Sequence, residues 1–242
     1  MRVEQQPGFV LHARPWRETS LLLDVLTRDF GRIGLIARGV RGAKTRLPRS
    51  QLQPLLPLVM SYGGAGELAT LTAAEADGAP FALVGEALLC ALYVNELVAR
   101  LLPRNDAHDD VFDAYRVTLA RLAGTESSAW TLRRFERDLL ASLGYGAVLD
   151  CDESGAPLQA ERDYAYRFDA GPVPWRAAND GLRLRGSALL ALGLDRQPDV
   201  QDLAALRRLM RGLIAHHLGG ASLRAWSLFQ APPVGGSGRS ER

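Results

Sequence analysis

Residues 14–44 have the sequence RPWRETSLLLDVLTRDFGRIGLIARGVRGAK, which predicts two β-strands followed by a long basic connector. Ser20–Thr27 is rich in Leu and Val, and Arg32–Arg38 is apolar between two arginines. Gly31 lies between these two runs and is typical of a turn. The sequence therefore predicts a strand–turn–strand unit whose exit is positively charged.

The positive charge of this unit is local. The whole chain has 29 Lys and Arg against 27 Asp and Glu, so its net charge is only +2. A cluster in a balanced chain attracts phosphate groups and steers polyanions toward itself, and we expect a nucleic-acid strand. A solvated, mobile loop is the alternative. The cluster comprises Arg28, Arg32, Arg38, Arg41, Lys44, Arg46 and Arg49.

The first 78 residues, which include this unit, predict five short strands. Turn signals separate them, and a long connector follows the third. Pro54 and Pro57 predict that the fourth strand lies at a sheet edge or in a bulge. This arrangement fits a small barrel such as the OB-fold, with a five-stranded sandwich fragment as the alternative. The predicted strands are Phe9–Arg14, Ser20–Thr27, Arg32–Arg38, Leu55–Met60 and Leu68–Thr72.

The remainder of the chain predicts helices, so we expect an α+β protein with an all-β N-terminal domain (1–78) and a mainly α-helical domain (79–230). Within the latter, residues 147–180 predict an irregular insert, and 231–242 a disordered tail. The apolar spacing predicts five helices. The first is Phe81–Leu102, with Val84, Leu88 and Leu92 at helical spacing, and the second has a buried stripe of Val111, Tyr115, Leu119 and Leu122. The other three are Ala129–Leu143, Gly186–Gly193 and Val200–Leu218.

Composition favours a cytoplasmic protein without catalytic chemistry. The longest apolar run, Ala87–Val94, is shorter than the roughly 20 residues that span a bilayer, and the N-terminus shows no secretory signal. The two cysteines, Cys90 and Cys151, are too few for a disulfide framework. The histidines are scattered and no nucleotide-binding fingerprint occurs. We therefore predict no enzyme activity, no cofactor and no metal.

Two kinds of side chain are candidates for contacting a nucleic acid outside the connector. Trp16 and Phe30, in successive turns, have rings on which bases can stack; for Trp16 the equal alternative is a ring that covers the barrel end. Two arginine clusters are predicted on the polar faces of helices, where exposure to solvent is the ordinary explanation. They are Arg133, Arg134 and Arg137, and Arg207, Arg208 and Arg211.

At this point several motifs resemble one family. Residues 14–44, quoted above, resemble the N-terminal barrel of the RecO recombination-mediator family. LQPLLPL (Leu52–Leu58) and GGAGELATLTAAE, ending at Glu75, continue the likeness. YVNELVARLLP (Tyr93–Pro103) and LRRFERDLLASLGYG (Leu132–Gly146) resemble its helical part. The motifs occur in the family's order up to about Phe229.

The resemblance implies an OB-fold followed by a helical domain, and a non-enzymatic role in DNA repair and recombination. That role is binding single- and double-stranded DNA, annealing complementary strands and helping to load recombinase on strands coated with single-strand-binding protein. The implied partners are RecR, the acidic, Phe-ended C-terminal tail of the single-strand-binding protein and, indirectly, the RecA recombinase. The implied DNA-binding residues are Arg14, Arg38, Arg41, Lys44, Arg46 and Arg49, together with Trp16 as a stacking ring and Arg133 and Arg134 in the helical motif.

The chain departs from the family's pattern at two places. Some members carry a four-cysteine zinc module, whereas Cys151–Gly155 keeps one cysteine, so we predict no zinc. Near the C-terminus, Ala225 and Trp226 stand where members often have a hydroxyl-basic pair. The site for the partner's tail needs an apolar pocket and a cation for its carboxylate; Arg183 and Arg185 are candidates, with an ordinary solvent-facing strand as the alternative. An RNA-binding OB module and a structural adaptor are the rival functions.

Overall fold

The computed structural model describes residues 2–40, 47–64, 68–176 and 181–228. Five strands form a closed barrel in the order β1-β2-β3-β5-β4. All neighbouring strands are antiparallel except β3 and β5, which are parallel. The predicted barrel is confirmed and the sandwich alternative is wrong. The strands are β1 (Arg2–Trp16), β2 (Ser20–Thr27), β3 (Gly31–Ala37), β4 (Pro57–Gly63) and β5 (Leu68–Ala76).

The barrel closes around alternate side chains of its strands, because successive residues of a strand point to opposite faces. Its core includes Val10, Leu23, Val25, Leu35 and Met60, each almost fully buried. Strand β1 is much longer than Phe9–Arg14, since its polar start also pairs with β4. Irregularities between Val3 and Gln6 and between Val10 and His12 let this one strand bend and pair on both sides.

Of the two alternatives predicted for the fourth strand, the edge position is wrong, because β4 pairs with both β1 and β5. The β4–β5 register does shift between Ser61 and Tyr62, away from the two prolines. Pro57 is tolerated since it is the first residue of the strand, where a missing N–H interrupts little of the ladder. Closure leaves the barrel without an unpaired edge.

Six helices of the described chain follow the barrel. The first begins four residues later than predicted, so that Val84 precedes it. Val84, Leu88 and Leu92 are exposed, whereas Cys90, Val94 and Leu97 are buried. The predicted stripe on the second helix is confirmed. The helices are α1 (Gly85–Leu101), α2 (Asp109–Ala123), α3 (Ser128–Ser142), α4 (Gly186–Gly193), α5 (Val200–His217) and α6 (Arg224–Leu228).

The insert predicted to be irregular contains two strands of a small antiparallel sheet. Strand β6 (Asp163–Arg167) pairs with β7 (Gly171–Pro174) on one side and with β8 (Leu182–Arg185) on the other. Tyr164 and Tyr166 of β6 are buried in the helical core, which explains why this aromatic-rich stretch is ordered.

Aromatic packing and one buried amide join the barrel to the helices. The Phe9 ring of β1 lies 5.5 Å from Phe112 and 5.0 Å from Tyr115 of α2, measured between ring centroids. Asn95 of α1 donates to the Leu11 carbonyl at 2.7 Å, and the Tyr115 hydroxyl donates to Asn95 at 3.0 Å. The barrel is therefore held at a defined position against α1 and α2.

The described residues show neither a helix suited to cross a membrane nor a cluster suited to bind a metal ion. None of their helices is both long and apolar enough to cross a membrane. No group of three or more His, Cys, Asp or Glu side chains among them is arranged to hold a metal ion. The connector residues Arg41, Lys44 and Arg46 and the predicted tail 231–242 lie outside the described residues.

Candidate nucleic-acid interface

The end of β1 places a tryptophan and two basic side chains on the outside of the barrel. His12, Arg14 and Trp16 are two residues apart, so they share the outer face of the strand. His12 and Arg14 are exposed, and Trp16 is half-buried. Arg14 lies opposite Leu22 of β2. The outer face thus combines cations with apolar surface.

Trp16 lies between two adjoining clefts on this face, which we call the turn cleft and the junction cleft. The turn cleft has a volume of about 670 Å³ and the junction cleft about 650 Å³. Trp16 lines both, and we call the two clefts together the barrel groove. The turn cleft is lined by Trp16, Arg17, Glu18, Thr19, Ser20, Ile36, Arg38 and Gly39, and the junction cleft by His12, Arg14, Trp16, Leu22, Leu23, Asp24, Leu68, Arg104 and Asn105.

Three arginines of the barrel groove are available to a ligand, whereas the fourth, Arg104, contacts Asp24. Arg14, Arg17 and Arg38 make no ion pair with any residue that the structure describes. Arg17 also has a left-handed backbone (φ 53°), a conformation that costs a non-glycine residue free energy. The tight turn between β1 and β2 therefore keeps a cation where glycine or asparagine is the ordinary choice, an observation that favours a functional role.

Two other barrel residues have different surroundings. Arg49 is exposed in a short 3-10 helix (Arg49–Gln51) and lines neither cleft. Phe30 is not a free stacking platform, because its ring packs edge-on against Tyr62 at 6.3 Å between centroids and contacts the barrel core. Of the two rings proposed for stacking, only Trp16 lines the groove.

The prediction that Arg133 lies on a solvent face is wrong. It is 5% exposed, and its Nε donates to Glu136 Oε2 at 2.6 Å. The Tyr93 hydroxyl donates to the other oxygen of Glu136, also at 2.6 Å. Burial opposes the charge of Arg133, but Glu136 outweighs burial and raises the pKa of the guanidinium. Burial, reinforced by Glu136, raises the pKa of Tyr93. Arg133 is thus a buried ion-pair partner.

A pocket lies beside this buried ion pair, between α1, α3, α5 and α6. Its volume is about 80 Å³, and we call it the helical pocket. The Arg211 guanidinium lies 4.6 Å from the centre of the Trp226 ring. The pocket combines apolar walls with cations, and its lining residues are Glu86, Cys90, Tyr93, Ala129, Leu132, Arg133, Glu136, Arg207, Arg211 and Trp226.

The C-terminal helix α6 is held in place by a carboxylate of α1. The backbone N–H groups of Arg224 and Ala225 each donate to a different oxygen of Glu96, both at 2.9 Å. An acidic group at a helix N-terminus satisfies donors that have no partner within the helix. Glu96 therefore positions Trp226 as a wall of the helical pocket.

The remaining arginines predicted as binding residues have carboxylate partners within the chain. Arg134 is mostly buried and donates to Asp195 at 2.7 Å. Arg183 pairs with Asp163 and lies 5.4 Å from the Trp175 ring centre. Arg185 pairs with Asp199 and Asp202, each at 2.8 Å. For Arg183 and Arg185 these pairs offer a structural explanation, whereas the helical pocket has the apolar walls and cations that a tail site requires.

A closed five-stranded barrel with this strand order is an OB-fold, a fold found in many proteins that bind oligonucleotides or oligosaccharides. Family models described as "Recombination protein O N terminal" and "Recombination protein O C terminal" match residues 1–78 and 83–227. The chain belongs to the RecO family of DNA repair proteins. Its barrel is therefore the family's OB-fold.

Similar proteins cover nearly the whole chain. The DNA repair protein RecO of Xylella fastidiosa (strain 9a5c) is 45% identical over 236 residues, which is 96% of this chain and 97% of that protein. The RecO of Xanthomonas campestris pv. campestris (strain B100) is 45% identical over 237 residues, 95% and 97% of the two chains. That of Nitrosococcus oceani is 44% identical over 232 residues, 95% and 94%.

Proposed function

We propose that this protein is a recombination mediator that works by binding and not by catalysis. It binds single- and double-stranded DNA through the barrel groove and anneals complementary strands. It also assists recombinase loading on strands coated with single-strand-binding protein. Membership of the RecO family supports a role in DNA repair. It also supports RecR and, indirectly, RecA as partners, and action on the nucleoid in the cytoplasm.

One observation carries the DNA-binding proposal: Trp16 lies between two clefts, with Arg14 lining one and Arg38 the other. Single-strand-binding OB-folds combine a cationic groove that follows the backbone with aromatic rings on which bases stack. Arg14 and Arg38 have no ion-pair partner among the described residues, so a phosphate does not have to displace a carboxylate. The groove therefore has both elements of such a site.

The same groove supplies a mechanism for annealing. Two complementary strands repel each other through their phosphates, and neutralising some of that charge lowers the repulsion. Contacts to the backbone fix the position of a strand without reading its sequence. Most bases of a strand bound this way stay free to pair with a second strand.

For the single-strand-binding protein we propose that its tail binds in the helical pocket. An acidic peptide that ends in phenylalanine needs an apolar recess for the ring and cations for its carboxylates. Leu132, Cys90 and Trp226 supply apolar walls, and Arg207 and Arg211 supply positive charge. Arg133 lies at the base with its charge balanced by Glu136. This proposal replaces Arg183 and Arg185 as the tail site.

Annealing of oligonucleotides precoated with single-strand-binding protein tests the proposed function. We expect wild type to anneal them at low salt and Arg14→Glu/Arg38→Glu to fail. Arg162→Glu/Arg167→Glu changes the charge equally at two exposed positions outside the groove and is expected to anneal normally. Arg41→Glu/Lys44→Glu/Arg46→Glu tests the connector in the same assay.

The alternatives give different results in that assay and in measurements of RNA and DNA affinity. If neither wild type nor any variant anneals DNA, the adaptor function is favoured and the mediator proposal fails. If wild type binds RNA at least as tightly as DNA and does not anneal DNA, the RNA-binding module is favoured. If the groove variant anneals as well as wild type, DNA binds elsewhere and the barrel groove is wrong as its site.

A further inference from the structure

The connection between α1 and α2 is fixed against the barrel by its backbone. Asn105 N–H donates to the Arg32 carbonyl at 2.9 Å, and Arg104 forms a parallel bridge with Arg32. Asn105 has a left-handed backbone (φ 57°), which asparagine tolerates better than most residues. This segment of the helical domain thus continues the barrel surface beside β3, and its side chains have defined positions there.

The side chain of Arg104 reaches the barrel groove and shares a carboxylate that is already neutralised. Arg32 binds Asp24 with Nε to Oδ1 at 3.0 Å and Nη2 to Oδ2 at 2.7 Å. Arg104 makes one further contact, Nη2 to Asp24 Oδ2 at 3.2 Å, and its side chain is 50% exposed. Two guanidinium groups therefore face one carboxylate, and one positive charge remains at the junction cleft.

The junction cleft has a second arginine and a histidine besides Arg104. Arg14 of β1 lines it and has no ion pair among the described residues, and the exposed His12 lies opposite Asp24 in the strand pairing. Leu22 and Leu68 add apolar surface to the cleft, and Trp16 lines both this cleft and the turn cleft. Arginines beside apolar surface suit a strand whose phosphates contact the guanidinium groups while a single ring stacks on Trp16 and most bases stay free.

We propose that a single strand bound at Trp16 continues through the junction cleft, where Arg104 of the helical domain and Arg14 of the barrel both contact its backbone. This inference rests on the proposed function and adds to it that the helical domain forms part of the DNA site. Arg104 then acts as a phosphate contact and not only as a strut between barrel and helices. The path of the strand leads from the β1–β2 turn to the α1–α2 connection.

The length of the DNA distinguishes these two roles of Arg104. We would measure the affinity of wild type and Arg104→Ala for oligothymidylates from about 4 to about 16 nucleotides, the range of site sizes for one OB-fold. The shortest strands occupy the groove around Trp16 and are expected to bind both proteins equally. Longer strands reach Arg104, so wild type is expected to bind them several-fold more tightly than the variant. The salt slope of the variant should be shallower by about 0.7, corresponding to one phosphate of a single strand.

Two control variants keep the outcomes separate. Arg167→Ala removes an exposed charge from β6, and Trp16→Ala removes the proposed stacking ring. Melting temperatures verify that each variant is folded. If Trp16→Ala weakens binding but Arg104→Ala matches wild type at every length, the strand does not enter the junction cleft and only this inference fails. An equal loss at every length would also overturn it. If wild type binds no DNA, the proposed function fails as well.

Discussion

Gly31, the first residue of β3, packs so tightly against Asp106 that a β-carbon there would lie 1.7 Å from the Asp106 carbonyl oxygen. The contact joins the barrel to the α1–α2 connection, which carries Arg104. A glycine that the sequence marks as an ordinary turn residue is thus also a contact between the barrel and the helical domain.

Gly31→Ala is expected to destabilise the protein more than Gly39→Ala. Both glycines have a positive φ, 63° and 66°, so each substitution costs about 1–2 kcal/mol for a left-handed alanine. Only Gly31 adds a steric clash, because nothing lies within 4 Å of a β-carbon at Gly39, and overpacking costs about 1–3 kcal/mol more. Urea unfolding of both variants measures the difference in their free energies of unfolding. Equal values would show that the α1–α2 connection moves away from the added methyl group without cost.

Arg133→Ala is expected to lower the free energy of unfolding by about 3–5 kcal/mol, since it leaves the Glu136 carboxylate buried and unpaired. Arg133→Met/Glu136→Met removes both charges and is expected to recover much of that loss, although the Tyr93 hydroxyl loses its acceptor. Arg2→Ala breaks an exposed pair with Glu4 and is expected to change stability by less than about 1 kcal/mol. If Arg133→Ala were as stable as Arg2→Ala, the result would contradict the burial of the Arg133–Glu136 pair.

Arg207→Ala/Arg211→Ala is expected to weaken binding of an acidic peptide ending in phenylalanine by at least tenfold, because the helical pocket loses both exposed cations. Arg183→Ala/Arg185→Ala is the matched control and is expected to bind the peptide like wild type. Fluorescence anisotropy with a labelled peptide measures both. The opposite ranking would return the tail site to the small sheet at β8.

His217 is expected to titrate below pH 6.5. Its ring stacks on Tyr145 at 4.3 Å between centroids, and burial, followed by the neighbouring His216, lowers its pKa from 6.5. Between the lowered pKa and 6.5 the unfolded chain binds more protons than the folded one, so the free energy of unfolding rises with pH across that window. This gain in the free energy of unfolding is lost as the pH falls through the same window. NMR titration of His217 checks this, and His216→Gln should move the pKa upward; a value at or above 6.5 in wild type would contradict it.

The sequence predicts the barrel well because its signals are local. The Leu- and Val-rich run Ser20–Thr27 and the apolar run within Arg32–Arg38 define two strands. Trp16, Arg14 and Arg38 follow from their position beside these strands. The start of β1 is missed, since residues 2–6 are mostly polar and pair only through the closure of the barrel. Strand alternation alone does not reveal that pairing.

The errors in the helical domain have a different cause. Helix α1 is apolar on most of its circumference, so the periodicity does not show which stripe is buried; Val84, Leu88 and Leu92 are exposed. Arg133 lies on the polar side of α3 by spacing, yet neighbouring helices cover it. Its one local signal is Glu136 at i+3, which is compatible with an exposed pair as well as a buried one. Arg104 enters the groove only through tertiary packing.

The most direct test of a DNA site in the barrel groove compares wild type with Trp16→Ala. The affinity of each for an oligothymidylate of about 16 nucleotides is measured against salt concentration. Wild type is expected to bind with affinity that falls steeply as salt rises. Loss of the stacking ring should cost about 1–3 kcal/mol, or roughly 5- to 150-fold. Trp175→Ala, on the small sheet, should bind like wild type. Binding that is insensitive to salt, or equal in wild type and Trp16→Ala, would contradict a DNA site in the barrel groove.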